Sequence, residues 1–111
     1  MAKDMKIGML IDFYGQLLTD KQLDALDMYY NQDLSLAEIA AENSISRQGA
    51  RDFIKKGEKQ LNEYEEKLGL VKRFNDITKQ ISEMNGIIDE LPYSAETERL
   101  KEISRKLSEE I

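Results

Sequence analysis

The sequence predicts an all-α protein, in which a helix-turn-helix domain over residues 1–66 is followed by a C-terminal helical hairpin over residues 67–111. Three observations carry this prediction. A single proline and six glycines in 111 residues leave few places where a helix must break. Apolar residues recur at spacings of three and four along nearly the whole chain. Thr19, Ser35, Ser46 and Ser94 each stand just before such a run, where a hydroxyl oxygen accepts from the first turn's unpaired N–H groups.

The first helix is expected over about Lys6 to Leu18, burying Ile7, Leu10, Ile11, Tyr14, Leu17 and Leu18. Thr19, with Gln22 three residues on, forms a capping box for a second helix over about Asp20 to Tyr30. Leu23, Leu26 and Met28-Tyr29-Tyr30 supply the buried face of that helix. Asn31-Gln32-Asp33 reads as a turn, because Asn and Asp tolerate unusual dihedrals. Ser35 with Glu38 is a second capping box, opening a short helix over about Leu36 to Glu42 that Asn43-Ser44-Ile45 interrupts. Ser46 then caps a longer helix reaching Leu61 or Lys67, with Ala50, Phe53 or Ile54, Gly57, Leu61 and Tyr64 turned inward.

Beyond it, Leu70, Phe74, Ile77, Ile81, Met84, Ile88 and Leu91 alternate spacings of four and three, which is a heptad seam. Leu91-Pro92 ends the seam, since the residue before proline avoids the helical region. Ser94 caps a last helix in which Leu100, Ile103, Leu107 and Ile111 continue the stripe. Two readings of this stripe stay open. The segment 70–91 folds back on 95–111 and buries its own seam, or the seam pairs with a second copy and makes a homodimer.

Composition removes several classes of function. With no cysteine and no histidine, the chain lacks the thiolate nucleophile, the commonest general base and the commonest metal ligands. Carboxylates such as Asp24, Asp27 and Asp33 fall on exposed helix positions with no phosphate-cradling glycine loop, so no enzyme and no cofactor are expected. No apolar run approaches the roughly 20 residues of a membrane span, and Met1 to Lys6 open no signal-peptide pattern, which makes the cytoplasm the expected location. The net charge of −6 opposes general coating of nucleic acid. Between Ser46 and Gln60, however, Arg47, Arg51, Lys55, Lys56 and Lys59 outnumber Asp52 and Glu58, leaving a basic strip in an acidic chain.

The strip lies on the second helix of the motif. A helix-turn-helix needs a small residue in its first helix, here Ala40, and apolar residues that lock the pair, here Ile39, Ile45, Ala50 and Phe53. Its second helix projects polar side chains into the major groove of double-stranded DNA. Arg47, Gln48, Arg51 and Lys55 are the candidate base readers, since arginine pairs bidentately with guanine and glutamine with adenine. Ser46, Lys56 and Lys59 are the candidate phosphate contacts.

Leu18-Thr19, Leu23, Leu26, Asp33-Leu34-Ser35, Glu38-Ile39-Ala40 and Ile45-Ser46-Arg47 resemble the last DNA-binding region of sigma-70-type factors, known as region 4. Asp12-Phe13-Tyr14-Gly15, Leu17-Leu18-Thr19, Lys21-Gln22, Tyr29-Tyr30, Asp33-Leu34-Ser35-Leu36 and Ser46-Arg47-Gln48, with Asp52, Ile54, Lys55, Tyr64-Glu65 and Lys67-Leu68, resemble the YlxM-like family of small bacterial helix-turn-helix proteins. That second resemblance implies a sigma-region-4-like fold, a DNA-binding regulator of transcription, and a link to the signal recognition particle. Gly49, Ala50 and Arg51 depart from the family pattern of alanine, valine and an aromatic residue. The first two changes loosen the helix, and the third adds positive charge to its outer face. The competing function is a non-catalytic protein- or RNA-interaction module of the signal recognition particle pathway; the acidic overall charge favours a protein partner.

Overall fold

A computed structural model of the chain describes residues 5–111; the opening residues 1–4, read above as lacking a leader pattern, lie outside the described residues. Six α-helices and one 3-10 turn make up the described residues: α1 (Met5–Tyr14), the turn Gly15–Leu17, α2 (Asp20–Tyr30), α3 (Leu36–Asn43), α4 (Arg47–Leu68), α5 (Leu70–Asp89) and α6 (Ala95–Glu110). The chain divides into two compact units, Met1–Val71 and Lys72–Ile111, so that α5 begins in the first and continues in the second.

The first unit is built around α4. Leu26, Ile39, Ala50, Ile54 and Leu61 are all fully buried, and Ile7, Leu10, Ile11, Tyr14 and Tyr29 close the core around them. Each such leucine or isoleucine contributes roughly 1.5–3 kcal/mol of transfer free energy. Gly57 lets α2 approach α4: a Cβ there would lie 2.9 Å from Leu26 Cδ1. The choice between Phe53 and Ile54 falls on Ile54, with Phe53 only half-buried.

The first helix ends earlier than the sequence spacing predicts. It stops at Tyr14, and Gly15 to Leu17 tighten into a 3-10 turn against Leu23. The tighter winding rotates the last side chains. Leu18 turns inward and Leu17 is left 56% exposed, where an inward position is expected.

Both capping boxes form. Thr19 accepts from Gln22 N–H and Ser35 from Glu38 N–H, with the two N3 side chains reaching back. Two non-glycine residues take left-handed backbone, Asp33 (φ 56°) in the turn before α3 and Ser44 (φ 53°) after it. Gly69 (φ 63°) ends α4 in the same conformation, its N–H bonding Glu65 O at 2.8 Å. Only Gly69 holds this conformation without a Cβ penalty.

The start of α5 has an unusual cap. The Tyr14 hydroxyl donates to Glu65 Oε1 and accepts from Leu70 N–H at 3.0 Å, while the same carboxylate oxygen accepts from Val71 N–H at 3.0 Å. A tyrosine and a glutamate from α1 and α4 thus satisfy N–H groups that serine or threonine serves elsewhere.

In the second unit α5 and α6 form the hairpin, with its corner at 90–94. Ile81 and Ile88 of α5 are buried, as the heptad spacing predicts, but Leu91 is exposed. On α6 the buried positions are Thr97 and Ser104, seven residues apart, rather than the leucines and isoleucines. Ser104 donates to Asn85 Oδ1 across the hairpin, and Thr97 donates to Pro92 O at 2.9 Å. Leu100, Ile103 and Leu107 remain 43%, 45% and 41% exposed. The expected apolar seam of α6 therefore lies at the edge of the hairpin contact, with Ser104 meeting Asn85 of α5.

Candidate nucleic-acid interface

The motif is built by α3, a tight turn and the start of α4. The turn depends on Ser44. Its left-handed backbone directs Ile45 N–H back to Ala40 O at 3.0 Å, and Ser44 N–H to Ala41 O. Asn43 Nδ2 satisfies Ile39 O at 2.8 Å. Ser46 then opens α4: its Oγ accepts from Gly49 N–H at 2.9 Å and its carbonyl from Ala50 N–H at 2.9 Å. Ala40 and Ala50 are buried, the small residues that a steep crossing of α3 and α4 requires.

Ile45 takes a different place from the one its spacing predicts. Rather than locking the helix pair from inside, it is 44% exposed. It lines a shallow cleft of about 220 Å³ with Lys21, Ala25, Ile39, Asn43, Ala50 and Phe53. The turn residue follows a left-handed position, so its side chain leaves the core stripe at the rim.

The outer face of α4 opens to solvent. Arg47, Gln48, Arg51, Lys55, Lys56 and Lys59 are all exposed, as is the Ser46 cap. Arg47, Gln48 and Arg51 line an open groove of about 490 Å³ together with Leu36, the first residue of α3. At roughly 100° per residue, Gln48, Lys55 and Lys59 share one outward stripe, and Arg47 and Arg51 lie toward α3. Ser46, Lys55 and Lys59 do not line that groove, and Lys56 lies farther round still, on the Phe53 side.

Two contributors to this surface carry weaker sequence signals. Leu36 reads as a helix opener, and only its position beside Arg47 makes it a groove wall. Asp52 reads as one of two acids diluting the basic strip, yet its Oδ1 accepts from Gln48 Nε2 at 2.9 Å. The spacing of four was the available clue, since i and i+4 meet on a helix surface. Glu58, the other acid, accepts a hydrogen bond from the Tyr30 hydroxyl and is turned toward α2. Gly49 does not meet another backbone; a Cβ there would face Ser46 Oγ at 3.1 Å and the Ile45 side chain. Among the described residues, no three His, Cys, Asp or Glu side chains converge as a metal site requires.

Fold and site together define an all-α helix-turn-helix protein. More narrowly, the chain belongs to the UPF0122 family, described as "Putative helix-turn-helix protein, YlxM / p13 like", whose profile matches residues 1–106. It is 50% identical over 98 residues to a UPF0122 protein of Malacoplasma penetrans, covering 86% of this chain and 90% of that one. A UPF0122 protein of Clostridium kluyveri is 40% identical over 111 residues and the whole of both chains. One from Desulforamulus reducens is 43% identical over 89 residues, 80% of this chain and 76% of that one. The similarity to the C. kluyveri protein runs the whole length of this chain, so it takes in the second unit as well as the motif. None of the described helices is long and apolar enough to cross a membrane.

Proposed function

We propose that this chain is a cytoplasmic, non-catalytic regulator of transcription that reads double-stranded DNA with the N-terminal turns of α4. The observation that carries this reading is the open groove lined by Arg47, Gln48 and Arg51 at the exposed start of a helix capped by Ser46. Arg47, Gln48, Arg51 and Lys55 meet base edges in the major groove. Lys56 and Lys59 meet phosphates, and Ser46, whose oxygen already accepts from Gly49, keeps its hydroxyl hydrogen to donate to another.

One such unit in a chain of net charge −6 binds weakly. A homodimer presents two recognition helices to a paired site. The stripe Leu100, Ile103 and Leu107, outside the hairpin's own contact, is the surface assigned to that dimer. Sedimentation of wild type against Ile103→Asp checks it: the wild type runs as a dimer and the variant as a monomer.

The test of DNA reading is selection on random duplexes followed by a salt titration. Wild type enriches a sequence, and Arg47→Ala and Arg51→Ala lose it. Affinity falls with a log–log slope of about −0.9 for each phosphate contacted. No duplex binding at low salt overturns the reading. The second reading is a protein- or RNA-interaction module in the signal recognition particle pathway, and the acidic remainder of the chain favours its protein form. Retention of that particle's components in a pull-down, by a protein that binds no DNA, decides for it.

A further inference from the structure

We infer that Asp52 is a specificity-determining residue of this interface, which acts by holding Gln48 so that it selects adenine. The inference rests on the DNA-reading function proposed above. It begins with the chemistry of one contact, the hydrogen bond from Gln48 Nε2 to Asp52 Oδ1 at 2.9 Å on the exposed face of α4.

A carboxylate only accepts, so it settles which end of the Gln48 amide faces it. The NH₂ end turns toward Asp52 and the carbonyl end turns away. One amide hydrogen is engaged. The other hydrogen and Oε1 remain, and these are the two groups that adenine requires, a donor for N7 and an acceptor for the N6 amino group. A free glutamine rotates its amide and offers either end to whatever base it meets. The hydrogen bond to Asp52 narrows that freedom before DNA arrives, so less side-chain ordering is left to oppose binding.

The charge of Asp52 adds a second selection. Guanine presents two acceptors, O6 and N7, in the major groove, and a carboxylate beside the reading position repels both. The same charge repels phosphates, so Asp52 weakens binding to DNA of any sequence. A residue that lowers general affinity while it sharpens the choice of base is a specificity device. Arg47 and Arg51 flank the pair and supply attraction that depends less on the base beneath Gln48.

Selection on random duplexes and measured affinities for the enriched site separate the two effects, using wild type, Asp52→Ala, Asp52→Asn and Gln48→Ala. The wild type prefers adenine at one position by roughly fivefold or more. Asp52→Ala reduces that preference by roughly twofold while binding to unrelated duplex strengthens. Asp52→Asn keeps only part of the preference, because an amide at position 52 can turn either end to Gln48 and carries no charge, and it also binds unrelated duplex more tightly. Gln48→Ala removes the preference at the same position. A merely structural role for Asp52 weakens all duplexes alike and leaves the base preference unmoved. Unchanged adenine preference in Asp52→Ala overturns this inference and leaves DNA reading standing. A wild type that binds no duplex overturns both.

Discussion

The two units bury their helices by opposite means. In the first, close approach comes from glycine and alanine at Gly57, Ala40 and Ala50, and the space is filled by Leu26, Ile39, Ile54 and Leu61. In the second, the buried positions of α6 are the hydroxyl residues Thr97 and Ser104, and its large apolar side chains stay half-exposed. The first arrangement makes a self-contained core. The second joins α5 and α6 through a polar pair, Ser104 and Asn85, as a single buried polar residue sets register in coiled coils, and leaves the large apolar side chains of α6 partly exposed.

The largest effect that tests this contrast is Leu26→Ala. Leu26 is fully buried against Gly57, and its truncation costs about 2–5 kcal/mol by chemical denaturation. Leu107→Ala, truncating a half-exposed side chain of α6, costs under about 1 kcal/mol. Equal losses at the two positions break the comparison.

A smaller loss is expected from Gly57→Ala. Alanine favours helix by about 1 kcal/mol over glycine. Against this, its Cβ meets Leu26 2.9 Å away, and overpacking of this kind costs about 1–3 kcal/mol. Destabilisation in a thermal melt shows that packing wins, whereas a higher melting temperature shows that α2 gives way.

Ser104→Ala leaves the Asn85 oxygen without its hydrogen-bond partner and costs about 1 kcal/mol. Hydrogen exchange reads the site of the loss: protection falls in α5 and α6 and holds in α1 to α4. Loss of protection across both units shows them to be one cooperative body.

Ser44→Gly works in the other direction. The left-handed backbone strains serine and not glycine, so the variant gains about 0.5–1 kcal/mol while keeping the turn.

The smallest effect is on pH dependence. Burial, reinforced by the hydrogen bond to Glu65, raises the Tyr14 hydroxyl above its ordinary pKa of 10.0. An acid whose folded pKa lies above the unfolded one contributes stability in full below pH 10.0, and that stability is lost as pH rises toward the folded value. Wild type therefore destabilises above that pH more steeply than Tyr14→Phe. Parallel alkaline limbs in the two proteins show that the cap at the start of α5 does not matter energetically.

Much of this was legible in the residues. Thr19, Ser35, Ser46 and Ser94 announce four helix starts, and each has the capping hydrogen bond. Ile81 and Ile88 lie where heptad spacing puts them. The cap at α5 was not legible, because Tyr14 and Leu70 are far apart in sequence and no local pattern joins them. Leu17 and Ile45 were misplaced for a related reason: periodicity assumes an unbroken helix, and each follows a change of backbone conformation. On the candidate interface the basic residues could be read directly, while the partner of Gln48 lay hidden in the charge balance as an acid to be subtracted.

The sequence by itself determined which segments are helical, where most of them begin, and that a basic strip starts at Ser46. Those are properties of neighbours within a turn or two of chain. Only the tertiary structure decided that Leu36 joins Arg47 in the groove, that Ser104 meets Asn85 while Leu100, Ile103 and Leu107 stay half-exposed, and that Tyr14 caps a distant helix. Each of these depends on which of several sterically allowed faces meets a neighbour, and that choice is fixed by the fit of both surfaces together.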